Sequence, residues 1–144
     1  IRGCGDSTPT IITHKGNNMN NTLENVDFQV NIKLNNSEAI FSYTKNDEPA
    51  TGGGVVRTET AGNYNLDDAT IQNGFVFTGA TITDIDTQKP CAQDFSYKVS
   101  DNGHTIIITD TDENNGSVCL IFNVECNGNK YESTDPQVKN EKEL

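Results

Sequence analysis

From Phe95 to Cys126 the chain alternates apolar and polar residues through three short runs. That alternation is the strongest constraint on its fold. Phe95, Tyr97 and Val99 precede a Ser100-Asp101-Asn102-Gly103-His104 break, and Ile106 and Ile108 follow it. Asn102-Gly103 suits a two-residue type I′ turn, because Asn and Gly best tolerate the positive φ that both central positions require. The turn predicts the pairs Val99 with Ile106, Tyr97 with Ile108 and Phe95 with Asp110. Phe95, Tyr97, Val99, Ile106 and Ile108 then share one face of a half-buried sheet, and Ile107 takes the other with Ser96, Lys98, Ser100, Thr105 and Thr109. A second break, Asp112 to Gly116, predicts a return with Thr111 opposite Ser117. That register puts Val118, Leu120, Phe122 and Val124 inward. A slip of one residue would bury Cys119, Ile121, Asn123 and Glu125 instead, so the apolar pattern selects the first register. The whole stretch reads as a three-stranded antiparallel meander.

Upstream, Val26, Phe28, Val30, Ile32 and Leu34 alternate with Asp27, Gln29, Asn31 and Lys33, a clear strand pattern. Asn35 to Glu38 reads as a turn and Ala39 to Thr44 as the returning strand, with Phe41 and Tyr43 inward. Lys45 to Gly54 reads as a loop that ends in a flexible triple glycine before a short Val55 to Thr60 strand. Tyr64 to Asp68 looks irregular. Ile71, Phe75, Phe77 and Ile82 mark further strands around Gly74 and Gly79, each glycine a turn or a bulge. Asn127-Gly128-Asn129 makes another turn before a closing strand from Lys130 to Thr134. No segment keeps a helical period. Roughly seven or eight short strands with regular turn signals predict an all-β fold, a two-sheet antiparallel β-sandwich of Ig-like type. Residues 1–25 are expected to form an N-terminal arm and linker, and residues 26–144 the β-sandwich domain.

The chain has 144 residues, enough for one domain with its own core, and a net charge of −11. That charge repels phosphate backbones and anionic bilayers, so no nucleic acid and no membrane insertion are expected. The chain opens on Ile1-Arg2-Gly3-Cys4 without an apolar leader, which fits either a mature product whose signal is already gone or a start at Met19 with residues 1–18 as an addition. The four cysteines form no C-x-x-C pair and are accompanied by only two histidines, a poor basis for zinc. Disulfides in an oxidising compartment, extracellular or at the cell surface, are the better reading for Cys4, Cys91, Cys119 and Cys126. Cys119 and Cys126 stand on one strand about 23 Å apart, at about 3.3 Å per residue, too far to bond. Cys91 enters the meander at the end near Cys119, which predicts Cys91–Cys119 and leaves Cys126 for Cys4.

The chain resembles the DP-EP family, a group of small bacterial proteins of unknown function. The resemblance rests on Gly74-Phe75-Val76-Phe77-Thr78-Gly79, on Val99-Ser100-Asp101-Asn102-Gly103, on Asp110 after the isoleucine strand, and on Asp135-Pro136-Gln137-Val138-Lys139-Asn140-Glu141. It covers roughly Val26 to Glu141. Where the family pattern favours Pro after Glu141, this chain has Lys142. The resemblance implies an all-β domain of bacterial origin and supplies no catalytic residues.

No general chemical signature is met. Asp110 to Gly116 resembles part of a calcium loop, but an EF-hand needs Gly sixth and Glu twelfth, and here Gly116 is seventh and Ile121 twelfth. Asp84 and Asp86 would lie on one face of a strand, able to meet a cation or a sugar hydroxyl. His14 and His104 lack the neighbours of a triad, and no G-x-S-x-G is present. No enzyme activity, metal or cofactor is expected. The arm Thr8, Pro9, Thr10, Ile11, Ile12, Thr13 and His14 is β-prone, with Pro9 fitting a strand start or edge. It can pair with an open sheet edge on its own domain or on a neighbour. The neighbour version gives self-association head to tail, and a filament if the rotation does not close. The expected function is a non-catalytic structural or assembly subunit of an extracellular filament. The alternative is a module that binds a glycan or another small ligand.

Overall fold

The computed structural model describes residues 23–141. The arm Thr8–His14 and Cys4 lie outside them. Among the described residues eleven strands divide between two sheets. The first strand, β1 (Glu24–Asn35), buries Val26, Phe28, Val30 and Ile32 as its alternation predicts, while Leu34 at its end is exposed. A two-residue turn with Asn36 at φ +60° returns the chain into β2 (Glu38–Lys45), which buries Tyr43. Asn46 and Asp47, both at positive φ, make a second two-residue hairpin into β3 (Glu48–Ala50). The expected Lys45–Gly54 loop therefore holds a hairpin. The signal was an Asn-Asp pair, since Asn and Asp enter the left-handed conformation more readily than other residues with a side chain.

The triple glycine is not a flexible turn. Gly52, Gly53 and Gly54 are buried. A Cβ on Gly53 would lie 1.9 Å from the Gln137 carbonyl oxygen, and one on Gly52 would lie 2.8 Å from the Tyr43 ring. The Tyr64 hydroxyl donates to the Gly52 carbonyl. Glycine stands there because two backbones meet. The chain then forms β4 (Gly54–Val56) and β5 (Thr60–Leu66), splitting the single strand expected over Val55–Thr60. The Tyr64–Leu66 stretch, which looked irregular, runs parallel to β1 in the middle of the first sheet.

A five-residue helix, α1 (Asp68–Gln72), replaces the strand expected around Ile71. Asp67 caps it by accepting from the Thr70 amide at 2.9 Å, and the Thr70 hydroxyl accepts from the Ile32 amide at 3.0 Å. Next, β6 (Phe75–Asp84) carries a register shift between Phe77 and Gly79, the bulge that Gly79 suggested. A 3-10 turn at Ala92–Asp94 leads into β7 (Phe95–Val99) and β8 (Thr105–Asp110). Their register is the one expected: Val99 opposite Ile106, Tyr97 opposite Ile108, Phe95 opposite Asp110. The turn conformation differs. The Gly103 amide donates to the Ser100 carbonyl at 2.9 Å, so Asp101 and Asn102 are the corner residues and Gly103 alone has positive φ. Asn102 Oδ1 accepts from the Ser100 hydroxyl and the His104 amide, which holds that geometry. Tyr97 is half exposed, because β7 is the edge strand of its sheet.

The meander ends there. The ninth strand, β9 (Gly116–Cys126), does not pair with β8 but crosses to the second sheet. Its inner face is the one expected, with Val118, Leu120, Phe122 and Val124 fully buried. It pairs along one edge with β6. Along the other edge it pairs first with β11 (Gln137–Asn140) and further on with β10 (Asn129–Glu132). The Ser133 hydroxyl bridges the gap between those two strands, accepting from the Phe122 amide at 2.8 Å and donating to the Asp135 carbonyl at 2.7 Å. The Asp135–Pro136 peptide is cis. The first sheet runs β3-β2-β1-β5-β8-β7, and β11 joins β4 in parallel within the second. The fold is thus all-β, with two mixed sheets rather than the purely antiparallel ones expected. The β1–β5 and β11–β4 pairs are parallel.

One core takes side chains from both sheets. At its centre the Phe122 ring lies 4.6 Å from Tyr64, 5.7 Å from Phe77 and 6.2 Å from Tyr43, and Phe28 stacks on Tyr64 at 4.9 Å. Burial of these rings, together with the aliphatic side chains around them, holds the sheets together.

Two cysteine expectations are overturned. Cys91 and Cys126 are free and buried. Cys119 is disulfide-bonded, but not to Cys91. Strand alternation explains this. Cys91 belongs to the core, whereas Cys119 occupies the opposite face of β9. Cys126 is likewise not Cys4's partner: its thiol donates to the Asn73 carbonyl at 3.2 Å.

Candidate functional site

Two polar regions stand out, toward opposite ends of β9. The first is a groove of about 980 Å³ between the start of β2 and the β9–β10 hairpin. Three elements converge on it. The β1–β2 turn brings Ser37 and Glu38, β6 brings Thr78 beside its bulge, and β9 and β10 bring Asn123, Glu125, Lys130, Tyr131 and Glu132. Hairpin register sets Lys130 opposite Glu125 and Tyr131 opposite Val124. Asn127 and Gly128, both at positive φ, close that hairpin in two residues, which aims successive β10 side chains to alternate faces. Tyr131 packs on the core and its ring lies 6.2 Å from Phe75. Tyr131 borders the groove from the core-facing side of β10, whereas Lys130 and Glu132, with Glu125 and Asn123 opposite them, belong to the other face. Those carboxylates, the amide and the ammonium can hydrogen-bond the hydroxyls of a sugar. No sequence motif joins these residues, and none was expected as a site.

The second region surrounds the crossover from β8 to β9. Asp94, Asp110, Asp112 and Asn140 are all buried there. Asp94 organises the crossover loop: its carboxylate accepts from the Asn114 backbone amide and side chain, both at 2.7 Å, and its carbonyl accepts from the Thr111 amide at 3.0 Å. Asp110 Oδ1 accepts from the Asp112 amide at 2.9 Å and from Asn140 Nδ2 at 3.0 Å. Burial pushes the Asp110 carboxyl up to about 7, against those hydrogen bonds, and the neighbouring Asp112 and Asp94 charges add to the rise. Cys91 lies beside the same group. Burial, followed by Asp84, Asp110, Asp94 and Asp112, pushes its thiol up to about 12, so it is a poor nucleophile at neutral pH.

The residues singled out from sequence have local structural duties here. Asp84 Oδ1 accepts from the Cys91 and Ala92 amides at 2.7 and 2.8 Å. Asp86 Oδ1 accepts from the Gln88 amide beyond the strand. The two therefore do not act as a pair. Among the described residues no cluster of three His, Cys, Asp or Glu is arranged to hold a metal. No helix among them is long and apolar enough to cross a membrane. His14 lies outside the described residues, and the His104 amide is held in the β7–β8 turn.

The model of the DP-EP family matches residues 24–142. The chain belongs to the DP-EP family. The matched span of this DP-EP domain begins with β1 and includes both polar regions. The Asp135-Pro136 element lies between β10 and β11, so the family's tail is the segment that carries β11 into both β9 and β4. The DP-EP domain is also similar to the crystal structure of an inclusion body protein from Burkholderia cenocepacia, at 7% identity and a TM-score of 0.46, covering 85% of this chain and 98% of that one. No curated protein matches the chain.

Proposed function

We propose that this DP-EP domain is a non-catalytic Ig-like β-sandwich, secreted or displayed at the cell surface, that binds a neutral, hydroxyl-rich ligand such as a glycan. The supporting observation is the groove of about 980 Å³ lined by Glu38, Glu125, Glu132, Asn123 and Lys130, with Tyr131 bordering it from the core side. Its carboxylates outnumber its single ammonium. Anionic ligands are therefore repelled and hydroxyl donors favoured. A glycan array followed by NMR titration tests the reading. Amide shifts should cluster at Asn123–Glu132, and Lys130→Ala and Glu132→Gln, both exposed positions, should weaken binding at least tenfold without lowering thermal stability. An array without a hit, or shifts elsewhere on the domain, would sink it.

The second reading is a structural subunit that self-associates through Thr8–His14. It is favoured by β6, a ten-residue strand that pairs only with β9 among the described strands; beyond Phe77, whose amide donates to the Gly103 carbonyl, it offers a template for an added strand. Deleting residues 1–18 should then abolish polymers seen by native mass measurement while the domain stays folded. A monomeric intact protein removes this reading.

A further inference from the structure

We propose that the outer face of β9 is a docking surface for the chain's own N-terminal arm, clamped there by a disulfide between Cys4 and Cys119. Of the chain's four cysteines, Cys119 is disulfide-bonded, whereas Cys91 and Cys126 are free. The count leaves Cys4 as the partner of Cys119, in place of both pairings expected from the sequence. Forming the bond takes two protons and two electrons from the two thiols. A small-molecule or protein disulfide accepts them and is reduced to two thiols.

The surface itself shows that β9 is covered on its outer side. Cys119 and Ile121 are only 5% and 9% exposed, yet neither belongs to the core, and strand alternation turns both away from it. The two sheets enclose the core between them, and among the described residues no third sheet lies beyond β9. The covered strip is narrow. Thr83 and Thr81, opposite Cys119 and Ile121 on β6, are exposed, whereas Gln137, opposite Cys119 on β11, is half-buried. One extended segment laid along β9 on its β11 side has that footprint.

The arm reaches this strip without strain. Glu24 at the start of β1 pairs with Thr60, and Thr60 pairs with Asp110 at the end of β8. The arm therefore joins the domain at the end of the sandwich where the chain crosses to Gly116 and starts β9. From Cys4 to Leu23 the chain spans up to about 60 Å at about 3.3 Å per residue, against about 10 Å between packed sheets. Its composition fits the strip as well. Ile11 and Ile12 supply apolar cover for Ile121. Across residues 1–22, Arg2 and Lys15 stand against the single acid Asp6, in a chain whose net charge is −11.

The test is peptide mapping of the unreduced protein, digested at acid pH to stop thiol exchange, with amide hydrogen exchange measured on the oxidised monomer. A Cys4–Cys119 peptide should come from the monomer. The Thr10–His14 amides should exchange at least tenfold more slowly than in a free peptide of residues 1–18. Any other partner for Cys119 would overturn the proposal. So would a Cys4–Cys119 peptide found only in covalent dimers or longer chains, which would put the arm on a neighbouring copy. Exchange at the free-peptide rate in the oxidised monomer would overturn it too, because the bond would then tether an arm that does not dock.

Discussion

Phe122→Ala tests whether the two sheets are held by the aromatic cluster. The ring is fully buried, with Tyr64 and Tyr43 packed from the first sheet and Phe77 from the second. Those partners are fixed on separate sheets, so the hole cannot collapse without moving a whole sheet. A ring-sized cavity of up to about 100 Å³ at about 24 cal/mol per Å³ costs about 2.4 kcal/mol. The lost transfer of the side chain adds about 2 kcal/mol. The expected loss is therefore about 4.5 kcal/mol, against a domain stability of about 5–15 kcal/mol. Urea unfolding with the disulfide intact should show a lower midpoint at unchanged slope. Lys98→Ala, at an exposed position on the edge strand β7, should change stability by less than about 0.5 kcal/mol. A Phe122→Ala loss below about 1.5 kcal/mol, or equal losses in both variants, would refute the assignment of Phe122 to the junction.

Gly53→Ala should cost at least about 2 kcal/mol by forcing β4 away from β11, since its Cβ would lie 1.9 Å from the Gln137 carbonyl. Gly128→Ala, with nothing within 4 Å of its Cβ, should cost only the left-handed backbone penalty of about 1–2 kcal/mol; parity of the two in thermal unfolding contradicts the close approach. Alkylation of the denatured, unreduced protein should label Cys91 and Cys126 and leave Cys119 unlabelled until reduction; a Cys91–Cys119 peptide in the map contradicts the face assignment.

The sequence was most legible where alternation is strict. Val26 to Ile32, Ile106 with Ile108, and Val118 to Val124 all face the core as expected. Alternation fixes a face but not a partner. The inner residues of β9 would look the same whether it returned beside β8 or crossed to the other sheet, and so the meander was misread. The Thr60–Leu66 strand was missed because Gly62, Asn63 and Asn65 dilute its pattern; its parallel partner β1 lies far away in the chain. Helix α1 is too short to show a period, and β11 has a single apolar residue, Val138. The groove was invisible because its residues come singly from separate elements. At the crossover, Asp110 and Asp112 drew attention as a cation motif, but their burial beside Asn140 depends on β11, which the pattern did not reveal.

The two sheets are unevenly spread along the chain. Every strand of the first lies between residues 24 and 110, whereas β9, the strand on which the second is built, starts at Gly116 and meets its last partner at Asn140. During synthesis from the N-terminus, the first sheet can therefore leave the ribosome complete while Val30, Tyr64 and Ile106 still lack the residues that will cover them. Until Val118 to Val124 follow, that bare apolar face is open to other nascent chains, and a holding chaperone has its natural point of action in this interval.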